Sequence, residues 1–120
     1  MVWLLEECSG LDYDIEVFKR LETMQAPPEL QKLHPLGKSP ILGLQTPGRT
    51  EPIIMAESAY MFEYLCDHFA THLVPKRYHE GKDGQAGGET ESWLRYKYFM
   101  HYTEGSFMAL IVQQLLFNSK

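Results

Sequence analysis

The stretch His34-Pro35-Leu36-Gly37-Lys38-Ser39-Pro40-Ile41-Leu42, followed further on by Ala56-Glu57-Ser58, decides the reading of this chain. Pro40 opens a short apolar strand. A proline has no N–H to give a sheet, so it belongs at a strand start or edge. It also pushes Ser39 into an extended conformation, which leaves that residue's N–H and C=O free to pair with something outside the chain. A Gly-Lys pair stands just before this open edge, and a carboxylate–hydroxyl pair, Glu57-Ser58, stands at the start of the next helix. Together they suit a small extended peptide charged at both ends. Each part also has a plain reading. Many strands begin at proline, Lys38 suits a solvated surface, and Glu57 and Ser58 suit the first turn of any helix.

Outward from this stretch the chain alternates short elements. Val2 to Cys8 reads as a helix without a polar cap at its start, stopped by Ser9-Gly10-Leu11. Tyr13 to Phe18 alternates and carries β-branched residues, which predicts a strand. Pro27 and Pro28 start a helical turn over Glu29 to Leu33, and Pro35 ends it. Ile41 to Leu44 and Ile53 to Met55 are short strands joined through Thr46-Pro47-Gly48-Arg49, whose composition predicts an antiparallel hairpin. Met61, Phe62, Leu65 and Phe69 recur at helical spacing over Glu57 to Phe69. Residues 70 to 88 hold Pro75, Gly81, Gly84, Gly87 and Gly88 without periodicity, which reads as a linker, flexible around Gly81 to Gly88. Glu89 to Phe117 reads as one long helix with Trp93, Tyr96, Met100, Phe107, Leu110 and Ile111 near one face and a bend or close approach at Gly105-Ser106. Its end, Phe107 to Phe117, is apolar almost all round and is expected to be covered by further protein.

Composition narrows the function classes. A chain of 120 residues is one average domain, or one with part of a second. Such a domain buries roughly two-thirds of the surface its unfolded chain exposes, so a real core is feasible. Sixteen acidic against eleven basic residues give a net charge of -5 with no basic run, which argues against nucleic acid as a partner. Cys8 and Cys66 fall in helical patterns, form no CxxC pair and read as small buried apolar residues. No apolar run approaches the ~20 residues needed for a transmembrane segment, and no signal peptide is visible, so the cytoplasm is the expected compartment. His68 and His72 have metal-ligand spacing but no third ligand, so no metal is expected.

The order strand, short helix, hairpin, helix, linker, long helix resembles the glutathione transferases, in particular their fungal branch. The residues that carry the resemblance are Val2-Trp3-Leu4-Leu5-Glu6-Glu7, the His34 to Leu42 stretch, Ala56-Glu57-Ser58, Trp93-Leu94-Arg95-Tyr96 and His101-Tyr102-Thr103-Glu104-Gly105-Ser106. The implied fold is α/β, a thioredoxin-like N-terminal domain lacking its first strand, followed by the first long helix of an all-α C-terminal domain. The implied organisation is a partial glutathione-binding domain over 1–74, a linker over 75–88 and a partial helical domain over 89–120.

The resemblance also implies roles. Pro40 corresponds to the family's cis-proline. Ser39 pairs its backbone with the cysteinyl part of glutathione, as one strand pairs with another. Lys38 neutralises the glycyl carboxylate. Glu57 meets the γ-glutamyl ammonium, and Ser58 with the helix N-terminal N–H groups takes the carboxylate. The implied reaction is attack of the glutathione thiolate on a small electrophile, with no cofactor and with a homodimer as the full-length form. Tyr98, His101, Tyr102 and Glu104 lie on the helix that borders the electrophile pocket in this family. Core packing is the expectation for most of them, and Glu104 is a candidate to reach a partner subunit's glutathione. The family's thiol-activating Ser, Tyr or Cys follows a strand expected before Met1, so the catalytic residue is unknown. Cys8 and Ser9 lie at the wrong end of the first helix to replace it. Two rivals follow: a non-catalytic binding or interaction module, and, more distantly, a thiol-disulfide oxidoreductase.

Overall fold

The computed structural model describes residues 1–23 and 25–118. The chain divides into two compact units, Met1–Leu65 and Cys66–Lys120, with the border inside the third helix. The boundaries expected at 74/75 and 88/89 follow the glycine-rich stretch instead. Residues 119 and 120 of the expected last segment lie outside the described residues.

In the first unit, α1 (Val2–Glu7) begins at Met1 without a side-chain cap and buries Leu4 and Leu5. Cys8 follows on the same face, four residues after Leu4, and is also buried. Gly10 takes the left-handed conformation expected of a helix stop, at φ +68°. Pro27 and Pro28 accept the first N–H bonds of α2 (Glu29–Leu33), from Leu30 and Gln31. β1 (Leu42–Leu44) and β2 (Ile53–Met55) pair antiparallel, with Leu42 opposite Met55, Gly43 opposite Ile54 and Leu44 opposite Ile53. Arg49 N–H donates to Thr46 C=O across Pro47 and Gly48, and Gly48 has φ +82°. That is the signature of a type II turn, with proline second and a left-handed glycine third. α3 (Ser58–His68) buries Met61 and Leu65. The unit's core is thus Leu4, Leu5, Cys8, Leu30, Met55, Met61 and Leu65, drawn from every helix and from β2.

The strand expected over Tyr13 to Phe18 is absent. The one ladder among the described residues is β1–β2, and Ile15 and Val17 are 56% and 76% exposed. Alternation states which side chains would share a face, but a strand also needs a neighbour to accept its backbone bonds.

The second unit corrects one further expectation. Residues 76 to 90 are not a loose linker. Three successive turns close by N–H donation from Lys82 to His79 C=O, Gln85 to Lys82 C=O and Gly88 to Gln85 C=O, at 3.1, 3.1 and 3.0 Å. Gly81, Gly84 and Gly87, three apart, sit at the third position of these turns with φ of +70°, +73° and +77°. The glycines that signal flexibility in the sequence are the residues these consecutive turns require. A bridge between Tyr78 and Glu89 joins the two ends of the loop.

The expected long helix runs from Glu91 to Asn118, with a π-helical turn inside it. α4 (Glu91–Tyr102) is capped by Thr90, whose hydroxyl accepts the Trp93 N–H. A π-helical turn over Thr103–Phe107 follows, then α5 (Met108–Asn118). Met108 N–H reaches Thr103 C=O, five residues back, and the Thr103 hydroxyl donates to Phe99 C=O at 2.8 Å. Such back-bonding from threonine is associated with helix bends. The bend expected at Gly105-Ser106 therefore falls inside this turn. No described residue of α5 is buried.

Candidate functional site

The site begins with a turn. His34 ends α2, its N–H donating to Leu30 C=O, and its own C=O accepts the Gly37 N–H at 2.9 Å. Pro35 at the second position and glycine at the fourth suit this turn. Gly37 is buried with φ +57°, and a Cβ there would lie 2.5 Å from Gln31 Cγ. Only glycine fits, on both backbone and steric grounds. Lys38, Ser39 and Pro40 follow on the surface, and the Ser39–Pro40 peptide is cis, as the resemblance implies.

Neither the N–H nor the C=O of Ser39 has a backbone partner among the described residues. The Lys38 ammonium makes no hydrogen bond or ion pair among them. Both groups are available to a ligand.

The other side of the site is placed by the hairpin. Leu42 stands opposite Met55. Pro40 and Ser39 lie two and three residues before that pair, and Glu57 and Ser58 two and three residues after it. The two chain segments leave the ladder at the same end, on strands spaced about 4.7–4.9 Å apart. Glu57 is the one non-glycine residue at positive φ among the described residues, at +75°, and its C=O accepts the Met61 N–H at the head of α3. A non-glycine residue there costs of order 1–3 kcal/mol, and such residues cluster where a side chain must be aimed. Ser58 opens α3, so its hydroxyl stands beside N–H groups that have no acceptor inside the helix. The macrodipole makes that helix end attractive to a carboxylate. Chemically, the arrangement offers an ammonium, one free backbone unit, a carboxylate and a helix N-terminus, all at one end of a hairpin.

Two other groups in this unit hold their protons tightly. The Cys8 thiol donates to Leu4 C=O at 3.2 Å, and burial pushes its pKa up. A nucleophilic cysteine needs the opposite shift. The Tyr13 hydroxyl donates to Glu6, and that bond, followed by partial burial and the carboxylate's charge, raises its pKa.

In the second unit Tyr98, Tyr102 and Phe107 form a stack, with ring centroids 5.4 and 6.4 Å apart and planes within 16° and 22°. Tyr98 is 58% and Tyr102 38% exposed, and His101 and Glu104 are exposed as well. Two features escape the sequence. One is the His34 ring in the turn, signalled only by an acceptor side chain just before Pro-X-Gly. The other is Arg77, whose guanidinium lies over both Tyr78 and Trp93, 4.8 and 4.5 Å from the ring centroids.

Residues 1–68 match the family model described as Glutathione S-transferase, N-terminal domain. This chain belongs to the glutathione S-transferase family. Every residue of the hairpin-end site lies inside the matched segment. Glutathione S-transferase 1 of Saccharomyces cerevisiae is 35% identical over 107 residues, covering 88% of this chain and 41% of the yeast protein. Glutathione S-transferase 3 of Schizosaccharomyces pombe is 32% identical over 111 residues, 92% of this chain and 38% of that protein. Both alignments are too long to end at residue 68, so the likeness to these glutathione S-transferases runs into the second unit. The chain spans about two-fifths of the length of either relative. No solved structure matches it significantly.

Proposed function

We propose that this chain carries the glutathione-binding half of a glutathione transferase active site. The observation that supports this most is the hairpin register, which brings the free Ser39 backbone and the Glu57-Ser58 helix start to one end of β1 and β2. Glutathione is an extended tripeptide with a carboxylate at its glycyl end and an ammonium and carboxylate at its γ-glutamyl end. Lys38 meets the glycyl carboxylate. The Ser39 N–H and C=O pair with the cysteinyl unit as in an added strand. Glu57 meets the ammonium, while Ser58 and the first N–H groups of α3 take the second carboxylate. Pro40 sets the direction in which Ser39 enters the strand. In the full-length enzyme the thiol loses its proton and the thiolate attacks an electrophilic carbon, forming a C–S bond as the leaving group departs. No metal or organic cofactor enters this reaction. The proposed setting is a cytoplasmic, detoxifying homodimer, on the strength of the family and the composition.

Titration of the 120-residue chain with reduced glutathione tests the site. Lys38→Ala with Glu57→Ala is expected to remove measurable binding; retention at the original affinity overturns the assignment. A second reading, a non-catalytic glutathione-binding module, draws support from Cys8 and Tyr13, whose pKa values move away from what thiol activation needs. Turnover of an aromatic electrophile by the purified chain at an ordinary enzymatic rate of about 1 per second or more rules that reading out.

A further inference from the structure

We propose that His34 is a positioning residue for glutathione binding, its ring as well as its backbone fixing the turn that delivers Lys38, Ser39 and Pro40. This rests on the glutathione reading of those residues. His34 makes three hydrogen bonds. Its N–H donates to Leu30 C=O at 3.0 Å, which ties it to α2. Its C=O accepts the Gly37 N–H at 2.9 Å, which closes the turn. Its ring Nδ1 accepts the Leu36 N–H at 3.3 Å.

The third bond is the informative one. A chain reversal leaves the N–H of its third residue without a carbonyl partner, and here the imidazole supplies the acceptor. The ring accepts through Nδ1, the nitrogen nearer the backbone. On the other side of the turn, Gly37 presses against the Gln31 side chain so closely that a Cβ would stand 2.5 Å from Cγ. The backbone is therefore held at residue 36 by the ring, at residue 37 by a carbonyl, and against α2 by close packing. Lys38 is the next residue. Without the ring bond, the turn loses one of these three restraints, and the Leu36 peptide that leads into Lys38 and Ser39 loosens.

Side-chain chemistry at position 34 makes this testable. Asparagine carries an acceptor, Oδ1, the same number of bonds from Cβ as His Nδ1, and readily bonds an N–H two residues on. Glutamine places its acceptor one bond farther out, and alanine has none. Binding of reduced glutathione to the 120-residue chain, measured by titration calorimetry, is expected to weaken about threefold to tenfold in His34→Ala and His34→Gln. His34→Asn is expected to stay within about twofold of the wild type, which a merely space-filling histidine does not predict. Amide exchange at Leu36 should speed up in the Ala and Gln variants and not in Asn. If His34→Ala fails to fold, the Asn–Gln contrast carries the test. Equal affinity in His34→Asn and His34→Gln overturns the proposal. Lys38→Ala separates the two levels. If it weakens binding while His34→Gln does not, the positioning role falls and the site stands. If Lys38→Ala has no effect, the glutathione reading itself falls.

Discussion

Glu57 is held where an ordinary side chain resists, at φ +75°, directly before a helix whose first bond its own carbonyl accepts. Left-handed backbone costs a residue with a Cβ about 1–2 kcal/mol, and glycine escapes that cost. Glu57→Gly is therefore expected to raise stability by up to about 1 kcal/mol after glycine's greater chain entropy is subtracted. The same change should abolish glutathione binding. Urea unfolding beside calorimetric titration checks both, and a less stable Glu57→Gly protein contradicts the strain argument. Gly37 is the reverse case. It is left-handed and lies against Gln31, so Gly37→Ala should cost about 1–2 kcal/mol or more in the same unfolding experiment. The sequence made the type of both residues visible: a Gly before Lys38 and an acid before Ser58. It did not make their φ angles visible, because a left-handed glutamate has no signature in composition.

Among the elements, the loop over residues 76 to 90 departs furthest from its sequence. Beyond its three turns, Thr90 closes it with an N–H to Arg77 C=O at 2.8 Å and a hydroxyl to Lys76 C=O at 2.6 Å. The same hydroxyl accepts from Trp93 at the start of α4, and the Arg77 guanidinium lies over the Trp93 ring. Loop and helix start are thus one hydrogen-bonded piece. Thr90→Val should cost about 1–2 kcal/mol as a lost cap, and Arg77→Ala about 0.5–1 kcal/mol as a lost cation–π contact. Both should speed amide exchange at Gln85 and Gly88, and unchanged protection in Thr90→Val contradicts the account. Sequence reading missed this order because a glycine at every third position looks like a flexible tract until each glycine is assigned to a turn. It overcalled the segment over Tyr13 to Phe18 for a complementary reason. A strand is a property of two segments, and the pattern describes one.

For the molecule as a whole, alkaline pH and the bare surface of α5 are the tractable levers. Cys8 and Tyr13 both have raised pKa values in the folded chain. The unfolded chain therefore releases these protons first. The stability they contribute is complete below the ordinary thiol and phenol ranges and is lost as pH rises through the folded values. The melting temperature should fall from about pH 8 to about pH 10.5, and Cys8→Ala with Tyr13→Phe should flatten that fall. A slope unchanged in the double variant contradicts the assignment. Leu110, Leu115 and Phe117 are 64%, 63% and 74% exposed along α5. Such a surface binds hydrophobic dyes and promotes association. Replacing all three by glutamine should reduce dye fluorescence and concentration-dependent association while leaving the amide protection of Gln85 and Gly88 intact.

By itself, the sequence determined the family, the hairpin with its Pro-Gly turn, the capping and stop signals, and the residue types of the stretch proposed to bind glutathione. These follow from local chemistry: a missing N–H on proline, a missing Cβ on glycine, a charge beside a helix start. Only the tertiary structure decided that the Ser39-Pro40 and Glu57-Ser58 segments leave the hairpin at the same end, that Glu57 is left-handed and that the His34 ring closes its turn. It also decided that residues 76 to 90 are ordered and that the alternating segment over Tyr13 to Phe18 has no ladder partner among the described residues. Each of these depends on which backbone groups find partners. A chain settles that only by folding, when every N–H and C=O leaving water must be matched to a neighbour its own local sequence does not name.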